Sequence, residues 1–238
     1  MNKSFHIFLS EVRRLIDYKI IYFGFVVTFL WVIVLAVTNE QEAISLLPQL
    51  LILDAGLMTI ILIGSSFYFE KQEGTLKAIL VSPVQTIHVI LAKVCASLVP
   101  SLLSVSLMTL TMGIIHAYWL SFPLALLIIM MATVAHLSLG FILMFTSPDF
   151  MSLLVKYTLF AFLLYLPSIL VPLNLITPDW EWIALISPSY AAQYLIQGLF
   201  VNISSMNLWL SVLFLIALPS LLFPLYIYPQ FKKETMRA

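Results

Sequence analysis

Long, continuous apolar runs separated by short polar breaks organise this chain. Six runs reach the roughly 20 residues that a helix needs to cross a hydrocarbon core. They fall at 20–38, 49–69, 90–115, 121–145, 155–172 and 207–228. Membrane-barrel strands alternate over about ten residues instead. These runs are unbroken and rich in Leu and Ile, so the pattern predicts an all-α integral membrane fold with six transmembrane helices.

Residues 1–19 follow another rule. Phe5, Phe8, Leu9, Val12, Leu15 and Ile16 share one arc of a helical wheel, and His6, Ser10, Arg13, Arg14 and Asp17 take the rest. That division predicts an amphipathic helix lying in the membrane interface or packed on the adjoining loops. The longest break, 173–206, has its own pattern. Pro178, Asp179, Trp180, Glu181 and Trp182 suit headgroup depth. Ser187-Pro188 then opens a stretch, Tyr190–Val201, that is too short to span and reads as a re-entrant or surface helix.

Composition agrees. Of 238 residues, 62% are hydrophobic and 9% charged, and the mean hydropathy is +1.09. A soluble domain carries about a quarter charged residues. One polytopic domain, 1–238, accounts for the whole chain. Net charge is zero, and no basic run points to nucleic acid. The single cysteine, Cys95, excludes an internal disulfide. The N-terminus has no cleavable signal pattern.

Charge then orients the spans. All 11 Lys and Arg residues fall on one side of a six-span map. Lys3, Arg13, Arg14 and Lys19 precede the first span, and Lys71, Lys77 and Lys93 lie between or just inside the second and third. Lys156 lies between the fourth and fifth, and Lys232, Lys233 and Arg237 follow the sixth. The opposite side carries Glu40, Glu42, Asp179 and Glu181. Basic residues stay in the cytoplasm, so both termini are expected there. Glu40–Gln49 and 177–207 are expected outside.

The loop 70–88 is the only sizeable internal one on the basic side. Leu76, Ile79 and Leu80 form an apolar face, with Glu73, Lys77 and Ser82 elsewhere on the wheel. Gly74-Thr75 can begin a helix, and Pro83 ends it because the residue before proline avoids helical geometry. A helix this short is marginal alone, so its apolar face needs a partner. Glu70 stands where the span meets this loop. It can accept bonds from free N–H groups at the loop-helix start or pair with Arg13 or Arg14.

At these residues the chain resembles the type-2 permeases of ATP-binding-cassette exporters. Glu70, Gly74, Thr75, Leu76, Leu80, Ser82 and Pro83 fit that family's motif after the second of six spans. The amphipathic first helix, the long outer segment and Pro188 are similar as well. Many members carry Glu-x-Glu before Gly-Thr; here the second position is Gln72, and Glu73 is displaced by one. The wording around Glu70 and the presence of Asp54 look most like fluoroquinolone-type multidrug export permeases. The resemblance implies that the loop is a coupling helix seated on a separate ATPase subunit, which binds ATP and Mg. It also implies a second permease copy or a sister permease, and a bacterial plasma membrane. No cofactor would bind this chain itself. The implied function is efflux of a drug, peptide or lipid-like substrate. A secondary transporter and a non-transport immunity or binding protein are the alternatives.

Two polar residues inside spans are further candidates for a transport path. Asp54 lies about a turn inside the outer end of its span, where it either meets substrate or a charge partner, or snorkels to the headgroups. His136, near the middle of the fourth span, reads first as a hydrogen-bond partner of a neighbouring helix. The sequence has no Gly-x-x-x-x-Gly-Lys-(Ser/Thr) and no His-Glu-x-x-His, so neither a phosphate-binding loop nor a zincin site is present. Metal-binding and catalytic residues are not expected.

Overall fold

The computed structural model describes residues 3–74, 85–177 and 180–237, without the side chains of Lys3, Ser4 and Arg237. Six of its helices are long and apolar enough to cross a membrane. An amphipathic helix, α1 (Lys3–Asp17), precedes them. The spans are α2 (Ile20–Val37), α3 (Glu40–Gln72), α4 (Thr86–Ile115), α5 (Phe122–Thr146), α6 (Phe150–Leu170) and α9 (Ser205–Met236). Between the last two lie α7 (Glu181–Ala184) and α8 (Pro188–Gln197).

The second span is longer than its apolar run. Residues 40–48 were expected in an outer loop, yet they are helical and continuous with the span. Asn39 explains the start. Its side chain accepts from the Glu42 N–H at 2.9 Å, and Glu40 and Glu42 sit where the helix dipole favours acids. Ala43 and Leu47 are buried on the inner face of this extension. Gly74 stops the helix at its other end. Its φ of 71° lies in the left-handed region that caps helices, so the glycine expected to open the loop helix closes α3.

Two apolar clusters stack along the bundle. One joins Leu35, Leu51, Met108, Ile129, Ala191 and Leu215. The other joins Ile63, Phe67, Val94, Phe141, Ile227 and Phe231. Between them α3 and α5 cross closely. A Cβ on Gly140 would stand 2.7 Å from Ile63 Cγ2 and 3.1 Å from Ile60 Cα. Small residues allow such approach, and membrane helices depend on it because lipid gives no hydrophobic drive between them. α2 and α6 line the periphery, with few buried residues.

α1 divides its apolar arc. Phe8, Val12 and Leu15 pack with Leu62 and Ala96, while Phe5, Leu9 and Ile16 remain exposed. α8 is buried along almost its whole length, so it is no surface helix. Ser187 caps it through the Tyr190 N–H at 3.4 Å, and Pro188 fits the first turn, where no N–H is needed. Trp180 and Trp182 stay exposed. Pro178 and Asp179 lie outside the described residues.

Candidate functional site

Two polar sites interrupt the apolar packing. The first lies at the basic end, where α1, α3 and α4 meet. Lys93 Nζ is 2.9 Å from Glu11 Oε2 and also donates to Glu70. Arg14 Nη1 stands 3.2 Å from Glu11 and 3.4 Å from Glu70. Among the described residues, two cations and two anions thus meet in one cluster. Glu70 is wholly buried, Lys93 is 2% exposed and Glu11 4%. Isolated charges there would cost several kcal/mol each, so burial is tolerated only because each meets an opposite charge with hydrogen bonds.

Of the two expected contacts of Glu70, pairing with the first helix is present, through Arg14; the N–H groups at the start of the loop helix lie outside the described residues. Arg13 is exposed. Lys93 is the member that local pattern does not reveal. It was counted with the loop charges, yet it points back from the first turns of α4 toward α3. Glu11 gives no local signal either, because it shares the bundle-facing side of α1 with Leu15. Glu73 stays at the surface, where it accepts the Tyr18 hydroxyl proton at 2.7 Å. Partial burial, and then that carboxylate, push the Tyr18 phenol above its ordinary pKa. Gly74 follows directly. Thr75, Leu76, Ile79, Leu80, Ser82 and Pro83 lie outside the described residues.

The second site sits halfway along the spans. Helix α3 widens into a π-helical turn at Ile52–Leu57. Such turns insert one extra residue into an α-helix and leave backbone carbonyls free for other donors. The Ala55 carbonyl takes the Ser101 hydroxyl at 3.1 Å and the Thr133 hydroxyl at 3.3 Å. Asp54, on the same turn, is buried. Its Oδ2 accepts from Thr28 at 2.5 Å and from Ser104 at 2.6 Å. With α3 beginning at Glu40, Asp54 stands about 21 Å down the helix at 1.5 Å per residue. It therefore stands farther from the start of its helix than the expected turn, and its carboxylate faces Thr28 and Ser104 inside the bundle. A carboxylate at such depth costs about 2.5–3.5 kcal/mol on insertion scales, which the two hydroxyls offset in part.

His136 closes the same layer on its far side. Nδ1 donates to the Ala132 carbonyl at 2.7 Å, so Nε2 is left to accept the Ser189 hydroxyl proton at 2.9 Å. The ring lies against Gly56, where an added Cβ would be 3.1 Å from Cε1. His136 thus ties α5 to α8 and to the π-helical turn, as the hydrogen-bonding reading expected. Asp54 belongs to this turn of α3, and His136 packs against it at Gly56. The hydroxyls of Thr28, Ser101, Ser104, Thr133 and Ser189 were not singled out from sequence. Serine and threonine are common in membrane helices, and only tertiary contact distinguishes these five.

Six helices long and apolar enough to cross a membrane mark a multi-pass membrane protein. The chain belongs to the ABC-2 type transporter family, whose sequence model matches residues 10–203. No curated protein matches the sequence. Membership makes this chain a membrane subunit of an ATP-binding-cassette exporter, a permease domain rather than a catalytic one. Such permeases generally work with an ATPase subunit. The matched region includes both polar sites and ends just before α9.

Proposed function

We propose that this chain is the permease of an ATP-driven exporter that moves an amphiphilic substrate outward, a drug, peptide or lipid. The observation that carries the reading is the buried cluster of Glu11, Arg14, Glu70 and Lys93. It clamps together α1, the end of α3 and the start of α4. The segment that fits the coupling motif emerges from this clamp. A push on that segment by an ATPase subunit would reach three helices at once instead of being absorbed by a slack loop. α3 leads from the clamp directly to Asp54 and the mid-depth layer. The working unit would hold two permeases and two ATPases, because six spans rarely enclose a path with two gates.

In this reading Leu76, Ile79 and Leu80 seat in a groove of the ATPase. Burying one such side chain contributes about 1.5–3 kcal/mol, and Leu80→Asp would also strand an unpaired charge there. The expected result is at least about a tenfold loss of ATPase recovered with tagged permease, with the permease itself still folded. Full co-purification and normal vesicle transport by Leu80→Asp would reject the docking role.

Topology follows from the charge distribution. In a Cys95→Ser background, single cysteines at Trp180 or Asn202 should react with an impermeant thiol reagent on whole cells. A cysteine at Lys77 should react only after lysis. Whole-cell labelling at Lys77 would place the basic end outside and overturn the orientation.

A further inference from the structure

A small cavity of about 40 Å³ opens beside Asp54, between α2, α3 and α4. Thr28, Asp54, Thr59, Ser101 and Ser104 supply its polar wall, and Phe25, Pro100 and Leu103 part of its apolar wall. We propose that this cavity binds the primary ammonium group of an amphiphile whose apolar body stays in the groove between α2 and α4.

Charge is the first reason. Both partners of the Asp54 carboxylate are neutral hydroxyls, and both meet the same oxygen, Oδ2. No cationic side chain contacts it among the described residues. Lys93 lies on α4 about 16 Å along the helix from Ser104 and is held by Glu11 and Glu70. An anion buried without a counter-ion favours a cation that can also hydrogen-bond.

Size and access decide which cation. The space holds a group comparable to one or two waters. That admits an ammonium head but not a ring system, and a trimethylammonium head lacks N–H donors as well as fit. Gly24 forms part of the wall, one helical turn from Thr28. A Cβ built on Gly24 meets nothing within 4 Å, so the missing side chain leaves an opening. Phe25 is 53% exposed and Leu103 46%, which places the mouth on the outer face of the bundle, toward acyl chains. An amphiphile can therefore insert its head laterally while its tail remains in lipid.

That a bound amine is cargo rests on the exporter reading; that it binds does not. The test therefore uses the full-length permease alone, in phosphatidylglycerol nanodiscs. A long-chain primary amine carrying a mid-chain diazirine is cross-linked, and the labelled peptides are mapped. Label is expected on the parts of α2 and α4 that line the groove. Dodecylamine should compete at least about tenfold better than dodecanol or dodecyltrimethylammonium. Asp54→Asn should erase that preference, and Asp54→Glu should retain part of it. Gly24→Leu puts a side chain into the opening, where its Cβ meets nothing within 4 Å, so it should abolish labelling while the protein melts at its native temperature. Adding phosphatidylethanolamine separates the sources of the amine. Suppressed labelling identifies a lipid headgroup as occupant, and unchanged labelling a free amphiphile. Equal competition by amine and alcohol, or labelling undiminished in Gly24→Leu, would overturn the site.

Discussion

Lys93→Met should destabilise the folded permease by about 3–5 kcal/mol, the usual cost of removing one partner from a buried ion pair. The methionine fits the space and leaves the packing of α4 intact. What it removes is the positive charge between Glu11 and Glu70, which stand 2.9 Å or less from its ammonium. Arg14 cannot replace it. Its guanidinium approaches from the solvent side, with the side chain 32% exposed. Among the described residues Arg14 would then be the one cation beside the two carboxylates, and α1 should lift from the bundle. The measurement is reversible unfolding in mixed micelles, with protease sensitivity of residues 1–19 as a local readout. Glu70→Gln on the Lys93→Met background removes one stranded charge and should recover part of the loss, because neighbouring charges are not additive. A Lys93→Met variant as stable as the native chain would show that the lysine does not hold α1 on the bundle.

The same cluster revises what Glu70→Ala would report. From sequence alone, Glu70 was expected either to meet free N–H groups at the loop or to pair with Arg13 or Arg14, and its removal to leave the ATPase bound while weakening coupling. Burial among three helices means that Glu70→Ala also leaves Lys93 with Glu11 alone. Glu70→Gln, which keeps the shape and a hydrogen-bonding group, is the cleaner variant. It should retain ATPase binding while transport per ATP falls. Unchanged transport per ATP would confine the cluster to a structural role.

Much of the architecture was legible because membrane insertion imposes strong, local rules. Apolar run length and the one-sided Lys and Arg distribution gave all six spans, and α2, α4 and α5 begin and end within a few residues of expectation. The misses were the end of α9, which runs on to Met236 where 228 was expected, and the start of α3. Glu40, Gln41 and Glu42 look like loop residues, and Pro48 looks like a breaker. Yet Asn39 caps the helix, and Ala43 and Leu47 find an inner surface to pack on. Capping and burial outweighed polarity over two to three turns. The extension places Asp54 farther from the start of its helix than the apolar run implied.

The site residues were legible in proportion to how local their signal was. Glu70 and Gly74 belong to a contiguous motif, and Asp54 and His136 stand out as polar residues in apolar runs. Glu11 and Lys93 act across 82 positions of sequence. Nothing near either one announces the other. The hydroxyls around Asp54 and Ala55 are equally silent, since each satisfies a partner on another helix. The π-helical turn itself is invisible to periodicity, because one inserted residue shifts the pattern by less than a third of a turn.

His136→Leu should cost at least about 1–3 kcal/mol, the penalty for leaving a buried polar group unpaired. The group in question is the Ser189 hydroxyl on α8, which now donates to Nε2 at 2.9 Å. His136 and Ser189 are both wholly buried, so bulk water does not replace the lost partner. Leucine differs from imidazole in shape as well. Its branched end would press on Gly56, where the flat ring already lies within van der Waals contact of an imagined Cβ. Two contributions are therefore mixed in the single variant, and a double-mutant cycle separates them. Ser189→Ala removes the stranded hydroxyl at little steric cost. If the hydrogen bond is the main term, Ser189→Ala in the His136→Leu background should be nearly neutral or stabilising, giving a coupling of about 0.5–3 kcal/mol. If shape dominates, the two losses should simply add. Unfolding in mixed micelles measures the cycle. An additive result would mean that α8 is held by packing against α5 and α9, with His136 serving only to fill space beside the π-helical turn.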